Sequence, residues 1–373
     1  MLHKIILKPF LLNNILHISA NMYSPLQYGD HHTKKIWKEL SIGFDEYHII
    51  ARSKNNKFNY SVEGNIHLHL IPKIITKSRV FVFTSFWIFL VIRKYNIRIL
   101  LAQSAVLGGF TASLASRYYK IPLMLEIHGE EYFRALKKGG VLSKIIRYSF
   151  NTAVKIRSLS SSMTQKLDDY GYRNKVVFIP NRVNLNLFSK TKQKFEIKNC
   201  IKLVSVGRFV WEKNYLNLIK TLHQSNLNFH LTLIGGGPLK NEYLNYITKN
   251  KLNKSIKLTD WVDQHKLIDL IISSDIYIQS SLSEGMPRTI LEAMALKIPI
   301  ISTSVGSIKG VLLNNVNSLL IESSLEKLVD KILELKNNKK LITKLVNASY
   351  SDVKYKYEWT LVFERYRNEL LTM

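Results

Sequence analysis

The feature that most constrains this chain is an alternation of short β-branched or apolar runs with longer amphipathic stretches. Residues 15–19, 47–51, 66–71, 97–102, 123–127 and 176–179 read as strands. Residues 33–41, 108–119, 141–155 and 167–171 read as helices between them. The same alternation restarts at 201, with strands at 201–207, 229–234, 256–258, 276–279 and 300–302. Its helices fall at 214–224, 239–249, 266–274, 288–296 and around 326–336. Short apolar runs separated by helices are the signature of parallel strands whose sheet is covered on both faces. The fold class expected is α/β, with two Rossmann-like, doubly wound halves facing a central cleft.

The polar, lysine-rich stretch 189–198 has no apolar periodicity and is the expected linker. At about 100–200 residues per domain, 373 residues make two domains. The first is placed at 1–190 and the second at 199–354. The amphipathic end 355–373 is expected to pack back on the first.

Charge narrows the partners. The chain carries 54 Lys and Arg against 27 Asp and Glu, a net +27. Residues 1–200 hold 31 of the basic and 11 of the acidic side chains, +20, which leaves +7 for the rest. An anion that attracts the protein therefore meets the first half, and nucleic acid and an anionic membrane surface are the two candidates. The one cysteine, Cys200, cannot close an internal disulfide, which fits a reducing compartment.

No segment reads as a bilayer span. The longest apolar run, 80–92, has 13 residues, about 20 Å as helix against the ~30 Å of a hydrocarbon core. Lys77, Arg79, Arg93 and Lys94 flank it, so it is either a buried helix or an interfacial element held to anionic lipid. Residues 1–14 are basic and apolar without a signal-peptide cleavage pattern, and read as a short extension before the first strand.

The richest stretch for chemistry is 280–306, SSLSEGMPRTILEAMALKIPIISTSVG. A strand ends in a serine-rich loop, and Pro287 suits the first turn of the helix that follows. The N–H groups of 288–291 then form an anion site at a helix N-terminus. Glu284 and Glu292 are eight residues apart, about 12 Å if the span were helical. They cannot share a proton or a metal, but can accept hydroxyl hydrogen bonds from two ends of an extended ligand.

This stretch resembles the signature of retaining, nucleotide-sugar-dependent glycosyltransferases of the glycogen-synthase-like superfamily (glycosyl transferases group one, GT-B architecture). SVGRFVWEKN at 205–214 and LIGGGPLKNEYL at 233–244 resemble further family segments in the right order. LEIHGEEY at 125–132 and VFIPNRVNLNLF at 177–188 match weaker ones. The resemblance implies transfer of a hexose-type sugar from a UDP- or GDP-type donor to an acceptor hydroxyl, without a cofactor or protein metal. Arg208 and Lys213 would neutralise the leaving diphosphate, and Gly207 would let the backbone approach the ligand. Glu284 would contact the donor sugar's hydroxyls and Glu292 the ribose. The backbone of Gly285, Met286, Pro287 and Thr289, continuing to Ile290, would cradle sugar and phosphate. Gly29 matches the glycine-containing loop that faces the diphosphate, and His128 the histidine near the reacting sugar carbon. The acceptor expected is a saccharide or lipid-linked saccharide in cell-surface polysaccharide or glycolipid synthesis, with the protein peripheral on the inner face of the cell membrane.

Two positions depart from the family pattern. Arg182 stands where a turn glycine is frequent, so that turn must differ or Arg182 is strained. Asp260 replaces a glycine before the Trp261–Val262 pair. No His, Cys or Asp cluster has metal-ligand spacing, so no metal is expected. The rival readings are a nucleotide-sugar epimerase or a phosphorylase of the same architecture, and, in another class, a basic nucleic-acid-binding protein. No pyridoxal-lysine segment, helix-turn-helix, zinc or aromatic RNA-binding signature supports the rivals.

Overall fold

A computed structural model describes residues 13–28, 31–72, 86–129 and 131–373. Gly29, the N-terminal extension up to residue 12 and residues 80–85 of the long apolar run lie outside them. The chain divides into two units: Met1–Ser158, Thr164–Ile179 and Phe363–Met373 form the first, Leu159–Met163 and Pro180–Val362 the second.

The first unit holds an eight-stranded sheet. Its strands are β1 (Ile15–Tyr23), β2 (Tyr47–Ser53), β3 (Asn59–Glu63), β4 (Ile66–Ile71), β5 (Ile99–Gln103), β6 (Leu123–Glu126), β7 (Lys155–Ser158) and β8 (Val176–Phe178), in the order β3-β4-β2-β1-β5-β6-β7-β8. All pairs are parallel except β3–β4, an antiparallel hairpin at the edge. β2 is buried at every position, as expected of a central parallel strand with helices on both faces.

The second unit is built on β9 (Ile201–Val206), β10 (Phe229–Ile234), β11 (Ile256–Thr259), β12 (Ile276–Gln279), β13 (Ile300–Thr303) and β14 (Leu319–Ile321), all parallel in the order β11-β10-β9-β12-β13-β14. Its core runs from Leu203, Leu231 and Ile278 on the strands to Leu218, Ile219 and Ile332 on the helices.

Three strands had no counterpart in the sequence reading: β3, β7 and β14. The helix expected at 141–155 ends at Thr152, and Lys155 opens β7 instead. Ala153 leaves the helical region with φ −59° and ψ 138°, and the Val154 N–H donates to Leu123 O at 2.9 Å, which starts the strand.

The unit division also corrects the expected limits. It falls between Ile179 and Pro180, so the lysine-rich 189–198 stretch belongs to the second unit rather than linking the two. The chain is tied into that unit earlier: Asn181 Nδ2 donates to Met286 O at 2.6 Å, and the Val183 N–H to Tyr357 O at 2.9 Å. Arg182 is not strained, because it does not adopt a positive φ. Its guanidinium lies over the Trp359 ring, 5.3 Å from the centroid, so the turn differs from a glycine turn. At the chain's end, Phe363–Met373 belongs with the first unit.

Candidate functional site

In the second sheet the strand order reverses between β9 and β12. Loops leaving the carboxyl ends of two such strands diverge and open a crevice, the usual ligand position in a doubly wound sheet. The loop after β9 carries Gly207, Arg208 and Lys213, and the loop after β12 carries Glu284 to Pro287. The sequence-predicted donor residues of this unit therefore converge at one switch point.

The β9 loop is held by the glycine-rich turn after β10. The Phe209 N–H donates to Gly236 O at 2.9 Å, and the Leu239 N–H to Phe209 O at 3.1 Å. A Cβ on Gly235 would stand 1.9 Å from Gly207 O, and one on Gly237 2.5 Å from Phe209 O. These glycines are needed because two backbone segments cross there. Gly207 itself makes room for neighbouring side chains, since a Cβ would meet the Tyr215 hydroxyl at 2.8 Å and Lys213 Cε at 3.1 Å.

Lys213 ends a short turn, Trp211–Lys213, and its ammonium pairs with Glu284 Oε1. Two further donors meet the same oxygen: Gln279 Nε2 at 2.7 Å and Ser281 Oγ at 2.6 Å. Gln279 is fixed in turn by the buried Tyr277 hydroxyl, which donates to its Oε1 at 3.1 Å. Among the described residues no donor meets Glu284 Oε2. Backbone contacts fasten the two loops together, with Ser280 Oγ donating to Lys213 O at 2.8 Å and the Leu282 N–H to Glu212 O at 2.7 Å. The Glu284 backbone lies against Gly306, where a Cβ would come within 2.1 Å of Glu284 O. Arg208, by contrast, is exposed and makes no ion pair among the described residues.

Pro287 sits just ahead of the helix Arg288–Ala295, with φ −69° and ψ 121°, rather than inside its first turn. The side chains of Met286 and Ile290 are packed inside the unit, so only their backbone can face a ligand. Gly285 and Thr289 are partly exposed. Glu292 projects from the same helix. Its Oε2 is shut off from solvent and has no hydrogen-bond partner among the described residues. Burial pushes the carboxyl up to about 7, with the Arg288 charge pulling the other way. An unpartnered buried carboxylate oxygen is costly, and a hydroxyl-bearing ligand would satisfy it.

In the first unit, His128 follows β6 with its side chain 49% exposed, and its Nε2 stands 4.0 Å from Glu126 Oε2. Glu126 is buried. Its Oε1 pairs with Arg157 Nη1 and accepts the Tyr366 hydroxyl at 2.5 Å. Burial alone would raise this carboxyl, but Arg157, His128, His17 and the Tyr366 hydroxyl outweigh it and hold it at about 2. A fixed anion therefore stands beside His128. Gly29 lies outside the described residues.

Sequence reasoning missed Gln279, Ser281 and Gly306, which position Glu284, and Glu126, which faces His128. Glu126, two residues before His128, and Gln279 and Ser281, five and three residues before Glu284, are near in sequence to the residues they face. Gly306 reaches Glu284 only where two loops meet.

Comparison with known proteins bears on this arrangement. The family described as glycosyl transferases group 1 matches residues 188–352, and glycosyltransferase family 4 matches residues 38–187. An uncharacterized glycosyltransferase of Methanocaldococcus jannaschii is 25% identical over 319 residues, 84% of this chain and 86% of the relative. The putative teichuronic acid biosynthesis glycosyltransferase TuaC of Bacillus subtilis is 26% identical over 250 residues, 62% of this chain and 59% of the relative. Among solved structures, HepE of Anabaena in complex with UDP and glucose superposes with a TM-score of 0.73 at 15% identity, covering 97% of this chain and all of that one. The two family matches abut along the chain, the two sheets are those of the GT-B fold, and the chain belongs to the group 1 glycosyltransferases.

Proposed function

We propose that this protein is a retaining hexosyltransferase. It takes a hexose-type sugar from a nucleoside diphosphate donor of the UDP or GDP type to a hydroxyl of a saccharide or lipid-linked saccharide. The setting is cell-surface polysaccharide or glycolipid synthesis, with the protein peripheral on the inner face of the cell membrane. The observation that carries the reading is the polarised carboxylate of Glu284. Three donors converge on Oε1, which leaves Oε2 to accept the donor sugar's hydroxyls.

The rest of the switch point supports the same assignment. Arg208 has no counter-ion among the described residues and stands at a strand's carboxyl end, where a diphosphate would lie. Lys213 brings a second cation to the same loop, and the N–H groups opening the helix Arg288–Ala295 supply further donors. Cations and backbone donors placed where negative charge develops on the leaving diphosphate lower the barrier most. The diphosphate oxygen then takes the acceptor hydroxyl's proton, and the new glycosidic bond forms on the face from which the diphosphate leaves. Glu292 Oε2 accepts a ribose hydroxyl and so loses its orphan status. In the first unit His128 carries the role at the reacting sugar carbon, beside the fixed anion of Glu126. HepE's complex with UDP and glucose and TuaC's teichuronic acid assignment support a nucleotide-sugar donor and a cell-surface polysaccharide product.

A thermal-shift screen of the purified protein against UDP, GDP and ADP and their common sugar conjugates, with Glu292→Ala in parallel, tests the donor site. A rise in Tm with one base that weakens in the variant is expected. No stabilisation by any nucleotide would overturn the donor assignment.

A further inference from the structure

The first unit contains a side-chain cluster that glycosyl transfer does not use. His48 on β2 and His67 on β4 are register partners in a parallel pair, so their side chains leave the same face of the sheet. The rings stack with centroids 4.5 Å apart. Glu46, two residues before His48, is the third member. Glu46, His48 and His67 each offer one ligand atom, and these atoms lie within 4.8 Å of one another. His48 Nε2 is 2.9 Å from Glu46 Oε2, and His67 Nε2 is 3.9 Å from Glu46 Oε1.

Around a zinc ion with bonds of roughly 2.0–2.2 Å, tetrahedral ligand atoms stand about 3.3 Å apart. Side-chain rotations of about an ångström would close this set on one ion. The outer nitrogens are already held, as they are in metal-bound histidines. His67 Nδ1 hydrogen-bonds the Tyr60 hydroxyl at 2.7 Å, and His48 Nδ1 hydrogen-bonds His69 Nε2 at 3.0 Å. Asn14 Nδ2 donates to Glu46 Oε2 at 3.2 Å. The His48 side chain is fully covered, while those of His67 and Glu46 are 14% and 36% exposed, which gives an ion a way in from solvent.

We propose that Glu46, His48 and His67 bind one divalent transition-metal ion of the zinc type, with water completing the coordination. Two imidazoles and one carboxylate suit such an ion better than magnesium or calcium, which take oxygen sets. Tyr47 opens β2 and Ile66 opens β4, so the cluster sits at the amino ends of these strands. Ligands of doubly wound sheets bind at the carboxyl ends. The ion's role is therefore structural, tying β2 to β4 near the sheet edge. Spacing along the chain does not show this set, because His67 joins Glu46 and His48 only through the pairing of β4 with β2.

The test uses the full chain with any affinity tag removed, stripped with EDTA and returned to chelator-free buffer. Zinc chloride titrated in a calorimeter should bind one ion per chain and raise Tm, and magnesium chloride should do neither. His67→Asn and Glu46→Gln, checked by circular dichroism, should each bind zinc at least ~10-fold more weakly. They should keep the transferase activity of the parent. If His67→Asn fails to fold, the partly exposed Glu46→Gln carries the same comparison. Absence of one-to-one binding, or equal affinity in parent and variants, overturns the proposal.

Discussion

Burial lifts the Glu292 carboxyl to about 7, so between its ordinary value near 4.5 and 7 the folded chain keeps a proton that the unfolded chain gives up. Stability from this group is fully present below that window and falls as pH rises through it. Glu292→Gln should therefore stabilise the protein by about 1–2 kcal/mol at pH 8 and by much less at pH 4.5, while weakening nucleotide binding. Urea melts at the two pH values check the first expectation, and an equal shift at both would remove burial as the cause. At Glu284, Lys213, Gln279 and Ser281 converge on one carboxylate oxygen. Glu284→Gln should lower the transfer rate roughly 10²–10³-fold with donor binding kept in large part, a loss of the size seen when one electrostatic contact to the reacting group is removed. Initial rates at saturating donor decide this.

At the scale of elements, the loop 280–287 is held from two sides, by the β9 loop and by Gly306. Gly306 has φ +51° and no room for a Cβ against Glu284 O. Gly306→Ala should displace the Glu284 backbone, cost about 1–3 kcal/mol of stability and reduce kcat/KM, read by a denaturant melt and a rate assay on one preparation. The strands that escaped the sequence reading show why elements are unequally legible. β3, NYSVE, is an edge strand with no buried residue, so it has no apolar face to announce it. β7, KIRS, buries Arg157, and a buried arginine reads as loop until its partner Glu126 is seen two strand positions before His128 on the neighbouring β6. β14, LLI, is too short for a period. The strands that were legible, such as β2, β10 and β12, carry buried apolar residues close together, Ile49 and Ile50, Leu231 and Leu233, and Ile276 and Ile278.

For the whole molecule, the Glu126–Arg157 pair in the first unit depends on a residue from the far end of the chain, the Tyr366 hydroxyl. Glu126 is held at about 2, so its stabilisation is present above about 4.5 and is lost as pH falls towards 2. Glu126→Gln would leave the buried Arg157 charge without its counter-ion and should cost roughly 3–5 kcal/mol. A melt followed at pH 7 and pH 3 should show the difference between parent and variant shrinking at the lower pH. The basic first half has a surface to match its charge. On the helix Trp87–Tyr95, Ile88, Val91 and Ile92 are buried, whereas Trp87 and Leu90, with Phe86 just before them, are exposed beside Arg93 and Lys94. The apolar run is thus both core and surface in its described part. Binding to anionic liposomes at low salt, weakened by Trp87→Ala or by raised salt, is the expected outcome. Failure to bind would sink the membrane reading.

By itself the sequence determined the α/β class and the two sheets, because burial on both faces of a parallel sheet imposes apolar runs, and the family resemblance of its motifs named the candidate residues from Gly207 to Glu292 in the loops that follow those runs. Tertiary structure alone decided where the units divide, which donors polarise Glu284, what opposes His128, and that Glu46, His48 and His67 meet. Lys213 reaches Glu284 from another strand's loop and His67 reaches His48 through strand pairing. Pairing register leaves no trace in spacing along the chain, while the nearer contacts depend on how the loop after a strand turns back.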